Sequence, residues 1–134
     1  MKHPSSENVY IIADTLQTVA LFMGNEVEMG NPSTYENLCG TPCCHGGWFE
    51  FALNEELHSD YNRGAQEMAK FLGFSSEVQL YCWAEDNPTI WGNGWGGYMF
   101  CGPKAFNYKG EKLTLTGIAD HWRAVGDRLK EMGL

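Results

Sequence analysis

Apolar residues recur at Val9, Ile12, Ala13, Leu16, Val19, Ala20 and Met23, and again at Ile118, Trp122, Val125, Leu129 and Met132. Steps of three and four put each set on one face of a helix, because about 3.6 residues complete a turn. Two amphipathic helices therefore bracket the chain, and each must bury its stripe. Ser5 or Ser6 suits the cap of the first, Glu7 favours its positive end, and Gly24 is a natural stop. In the last helix Asp120 is expected in the first turn, with Arg128 and Lys130 in the final one, matching the dipole.

Between them the pattern alternates. Residues 24–37 (GNEVEMGNPSTYEN) read as a loop. Thr41-Pro42 then opens a second helix, with Thr as cap and Pro at the first helical position. That helix is predicted to run through Trp48, Phe49, Ala52 and Leu53 to Leu57, and its wide apolar face makes it the central one. Gly46-Gly47 inside it costs on the order of 1 kcal/mol per glycine relative to Ala, which a closely crossing helix would offset. A third helix spans Arg63 to Leu72, with Ala65, Met68, Ala69 and Leu72 inward, and Gly73 with Phe74 reads as its left-handed cap. Ser75 or Ser76 starts a short fourth helix through Val78, Tyr81 and Cys82, ended by Asn87-Pro88.

Residues 88–112 break the rhythm. Five glycines fall between Gly92 and Gly102, interleaved with Trp91, Trp95, Tyr98 and Phe100. The stretch reads as a long loop, with Tyr98–Cys101, or Phe106–Tyr108 with Lys112–Leu115, pairing as a small β-hairpin. The expected fold is a single, mainly α domain over residues 1–134, with about five helices, this Gly/aromatic loop and the hairpin. A length of 134 residues with 43% hydrophobic residues suits one domain with its own core.

Several functions are discarded by composition. No apolar run approaches the roughly 18 residues of a membrane span. Residues 1–8 (MKHPSSEN) lack the apolar stretch of a secretory signal, so a cytoplasmic setting without membrane partners is expected. The formal net charge is −8, and it is uneven: residues 1–100 carry three bases and thirteen acids, residues 101–134 six bases and four acids. Duplex affinity rests largely on Lys and Arg neutralising phosphates, so the first hundred residues would repel nucleic acid. Binding through residues 101–134, or mimicry of DNA by the acidic part, are the routes that remain. Five cysteines, an odd number with two of them adjacent, fit reduced thiols better than a disulfide framework.

The segment Cys39-Gly40-Thr41-Pro42-Cys43-Cys44-His45-Gly46-Gly47-Trp48 concentrates reactive side chains, and three readings compete. As a metal site, Cys39, Cys43, Cys44 and His45 supply suitable donors, with Cys82, Cys101 or His121 to complete a tetrahedron. Against this, neighbours on a helix point about 100° apart, and no second well-spaced cysteine pair follows. As a thiol hydrolase, Cys43 or Cys44 at a helix start would gain thiolate character from the free N–H groups, with His58 or His121 as base. The segment lacks the C-G-S-C-W signature of papain-like enzymes. As structure alone, the cysteines pack as small hydrophobes, the small residues admit a neighbour and Trp48 fills the core. The structural reading leads, and it calls for no cofactor.

The pattern C-G-T-x-x-C-x-x-G-W, here Cys39, Gly40, Thr41, Cys44, Gly47 and Trp48, resembles a motif of small helical proteins of bacteria and their phages, a group with no established activity. In that group the motif opens a central helix, followed by a helix ending in L-G-[LF] and a short helix with a leucine–aromatic pair. Phe71-Leu72-Gly73-Phe74 and Leu80-Tyr81 fit that order. The resemblance covers residues 35–92. It implies a helical fold in an intracellular or phage setting and carries over no catalytic residue.

Trp91, Trp95, Tyr98 and Phe100 offer the alternative of a recognition surface, since aromatic rings give large, rigid contact area at little entropic cost. The competing reading folds the same rings into the core. The resulting expectation is a non-catalytic binding or accessory module with a protein partner, compatible with a homo-oligomer. The alternatives are a thiol-dependent hydrolase using Cys43 or Cys44 with His121, and a zinc-stabilised module.

Overall fold

In a computed structural model, residues 2–23, 63–92 and 114–134 are described, together with Phe49 and Ala52. The fold is mainly α-helical, and the described residues contain five helices and no strand. These are α1 (Ser6–Met23), α2 (Arg63–Phe71), α3 (Glu77–Asp86), α4 (Pro88–Trp91) and α5 (Leu115–Glu131).

The two stripes read from the sequence form the heart of the core. On α1, Val9, Ile12, Ala13, Leu16, Val19 and Ala20 are buried; on α5, Leu115, Ile118, Ala119, Trp122, Val125 and Leu129 are buried. The two helices pack along one another. Ser5 Oγ accepts from the Asn8 amide at 3.2 Å, and the Ser6 amide donates to the Leu134 carbonyl at 3.2 Å, so two free donors at the start of α1 are satisfied. Thr114 caps α5 by accepting from the Gly117 amide at 3.0 Å. Because α5 begins at Leu115, two expectations change. Lys112–Leu115 cannot be a strand through its last residue, since Thr114 and Leu115 cap and open a helix. Asp120 lies beyond the first turn, where it pairs with Arg123 at 3.1 Å on the exposed side instead of meeting the dipole. Met132 leaves the buried stripe as well; it caps the helix and is 51% exposed.

The second layer is a helical hairpin. Met68, Ala69 and Leu72 of the α2 segment are buried. Gly73, at φ +93°, reverses the chain: its amide donates to the Lys70 carbonyl at 3.0 Å and the Phe74 amide to Ala69 at 2.9 Å. This is the glycine-plus-hydrophobic cap anticipated from Gly73-Phe74. Ser76 then caps α3, accepting from the Gln79 amide. The buried face of α3 is Leu80, Trp83 and Ala84, while Val78 and Cys82 are exposed.

Asn87-Pro88 ends α3 but does not open a loop. Pro88 takes the first position of the single-turn α4, where its missing N–H costs nothing. Arg128 Nη1 donates to the Ile90 carbonyl at 2.7 Å and fastens this turn to α5. Of the predicted central helix, Phe49 and Ala52 are helical, and Phe49 is buried with its ring 5.5 Å from that of Phe71. The rest of that helix, the loop over 24–37 and the hairpin up to residue 113 lie outside the described residues.

Candidate binding site

A line of aromatic rings runs through the second layer. Trp122 meets Trp91 at 5.0 Å between ring centres, Trp91 meets Trp83 at 6.4 Å, and Trp83 meets Phe74 at 5.8 Å. The first two contacts are edge-to-face, the arrangement that aligns ring edges with the electron-rich faces. Trp83, Trp91 and Trp122 are each no more than 1% exposed. This corrects one member of the expected recognition surface. Trp91 belongs to the core, because the α4 turn aims its ring at Trp83, His121 and Trp122. Trp95, Tyr98 and Phe100 lie outside the described residues.

The line ends near the surface at the half-buried Phe74, which packs on the buried Trp83. Its indole N–H donates to His3 Nδ1 at 3.1 Å, so the segment before α1 is drawn over α3. Beside this contact lies a cleft of about 340 Å³, and its described lining is Lys2, Gly73, Phe74, Gln79, Cys82 and Trp83. The volume falls within the roughly 300–1,000 Å³ common for small-molecule sites. Each wall has a local cause. The positive φ of Gly73 turns Phe74 back against Trp83. Gln79, Cys82 and Trp83 stand three and four residues apart on α3 and so share one side of it. The Gln79 side chain is held in place, because its Oε1 accepts from the Ser75 amide at 2.9 Å.

A second surface stands out on α1. Leu21 and Phe22 are 77% and 84% exposed, and Ile11 is 41% exposed. Ile11, Thr15, Thr18 and Phe22 follow helical spacing along the outward side. Thr15 and Thr18 donate their hydroxyls to the Ile11 and Asp14 carbonyls at 2.7 and 2.8 Å, so their polar groups are satisfied within the helix.

The remaining candidates divide cleanly. His121, the base of the hydrolase reading, is buried at 8% exposure with its ring 4.4 Å from Trp91 and nearly perpendicular to it. Its proposed partners Cys43 and Cys44 lie outside the described residues, as do Cys39, Gly40, Thr41, His45, Gly47, Trp48, His58 and Cys101. Among the described residues no three His, Cys, Asp or Glu side chains gather as a metal ion would require. Among them, too, no helix is long and apolar enough to cross a membrane. The cleft was not anticipated from sequence: Lys2, His3, Gln79 and Trp83 carry no motif, and the contact of His3 with Trp83 spans 80 positions. No family model, curated protein or solved structure matches the chain.

Proposed function

We propose that the chain is a cytoplasmic, non-catalytic binding module that recognises a protein partner through the outward side of α1. The observation that carries this reading is the exposure of Leu21 and Phe22, adjacent large apolar side chains at 77% and 84%, on a helix whose other side is fully buried. Apolar area left in water on one side of an otherwise well-packed helix marks an interaction surface more often than it serves stability. Ile11, Thr15, Thr18 and Phe22 have the helical spacing by which one helix meets the apolar face of another protein. The hydrolase alternative gains no support, because the imidazole it needs as base is packed on Trp91.

The test is a double substitution, Leu21→Ser with Phe22→Ser. Both side chains are exposed, so stability should change by no more than about 0.5 kcal/mol per site. A partner crosslinked to the wild type in its native cytoplasm should be lost from the variant while the thermal transition stays in place. Retention of the same partner by the double variant would refute the assignment.

A further inference from the structure

We propose that the cleft between residue 2, the α2–α3 turn and α3 is a binding site for a small carboxylic acid with an apolar, ring-sized body. It lies beside the segment before α1, whereas Leu21 and Phe22 stand at the far end of that helix.

The lining sorts by chemistry. Phe74 and Cys82 supply the apolar walls, and Trp83, only 1% exposed, adds little surface. The one polar atom of Trp83 is already committed, since its N–H donates to His3, and the cleft therefore meets only indole ring surface. The remaining polar groups are donors. Gln79 has its oxygen occupied by the Ser75 amide, which leaves its Nε2 hydrogens to offer. Lys2 brings an ammonium over the turn, where a Cβ on Gly73 would lie 3.6 Å from its Nζ. Lys2 makes no ion pair among the described residues, whereas Arg123 pairs with both Asp14 and Asp120. No acidic residue stands in the described lining. A cleft with apolar walls, an amide donor and a lone cation is complementary to an apolar body that ends in an anion. Among the described lining residues it offers a carboxylate two kinds of donor, and it offers a cation no carboxylate.

A volume of about 340 Å³ has room for a single ring or a short branched chain. Because Lys2 is exposed, its share of the affinity is that of a surface ion pair, about five-fold. The ring contacts supply the rest.

The experiment is a titration of the full chain at low ionic strength with 3-phenylpropionate, and with 3-phenylpropylamine as its cationic counterpart. Nitrogen–proton NMR follows the Trp83 indole N–H and the Gly73 amide, both of residues that line this cleft. The acid is expected to shift both signals with a millimolar dissociation constant, and the amine to bind at least about five-fold more weakly. Lys2→Met should erase that preference and Lys2→Glu should reverse it; residue 2 precedes α1 and is exposed, so both variants keep the fold. Cys82→Phe, which places a ring in the cleft from an exposed helical position, should abolish the shifts. Equal affinity for acid and amine, shifts confined to other residues, or a Lys2→Glu variant that still prefers the acid would each overturn the proposal. So would a phenylalanine-terminated tetrapeptide binding about ten-fold more tightly than the free acid, because the site would then be built for a chain end.

Discussion

The ring of Tyr10 occupies the space that a side chain at Gly126 would need: a Cβ there would fall 2.6 Å from Tyr10 Cε1 and 2.8 Å from Cδ1. The Tyr10 hydroxyl meanwhile donates to Asp127 Oδ1 at 2.6 Å, so moving the ring aside would strain or break that bond. A glycine in the middle of α5 is thereby explained. It costs about 1 kcal/mol in helix propensity, and in return α1 and α5 approach closely enough for Tyr10 to lie across the joint.

Gly126→Ala is therefore expected to destabilise the chain, despite alanine being the better helix former. Overpacking of about 1–3 kcal/mol should outweigh the propensity gain of about 1 kcal/mol. In a Tyr10→Ala background the same substitution should change sign and stabilise by up to about 1 kcal/mol. Urea denaturation of the four proteins in this cycle measures the coupling. A Gly126→Ala protein more stable than the wild type would show that the ring moves aside freely.

Titration of Tyr10 follows from the same contact. The hydrogen bond to Asp127 comes first in raising the phenol above its ordinary range, followed by desolvation and the negative charges of Asp127 and Glu131. A raised value means that the folded state holds the proton more tightly than the unfolded state. The contribution to stability is thus complete below about pH 10 and is lost as pH climbs through the folded-state value. Carbon NMR of ring-labelled tyrosine should place Tyr10 above an ordinary phenol in the wild type and return it toward that range in Asp127→Ala. No difference between the two proteins would remove the hydrogen bond as the cause.

The elements that were legible in the sequence are those whose cause is local. The α1 and α5 stripes rest on helical spacing alone, and the Gly73-Phe74 cap on one conformational demand of one residue. Trp91 shows where this ends. Seen among the glycines that follow it, it reads either as core or as recognition surface, because Asn87-Pro88 reads as the stop of one helix rather than the start of another turn. What buries it comes from far along the chain, in Trp122 and His121 of α5. The cleft was illegible for a stronger reason. Lys2, Gly73 and Trp83 meet only through tertiary packing, and no periodicity connects them.

Truncation of Trp91 tests its reassignment to the core. With three rings around it and 1% exposure, Trp91→Ala should cost about 3–5 kcal/mol, the range for deleting a large buried aromatic side chain. Trp91→Phe keeps a ring in the site and should lose clearly less. A thermal transition unchanged in Trp91→Ala would return this residue to the surface.

Arg128 provides the most specific test of how α4 is held. Four residues cannot sustain a helix by propensity, since nucleation fixes several residues for a single hydrogen bond. The turn persists because the Asn87 and Pro88 carbonyls accept from the amides of Trp91 and Gly92, and because Arg128 Nη1 reaches the Ile90 carbonyl at 2.7 Å. That last bond is charge-assisted and partly buried, so its loss leaves a carbonyl without its donor and should cost about 1.5–3 kcal/mol. Arg128→Met retains most of the apolar stem and removes only the guanidinium, which separates the hydrogen bond from the packing of the side chain. Amide exchange at Trp91 and Gly92 should speed up in Arg128→Met beyond the change at Leu16 or Val125 in the α1–α5 core, because the turn opens locally before the whole fold does. Exchange raised equally at all four amides would mean that Arg128 contributes only to global stability, and that α4 is held by the burial of Ile90 and Trp91 alone.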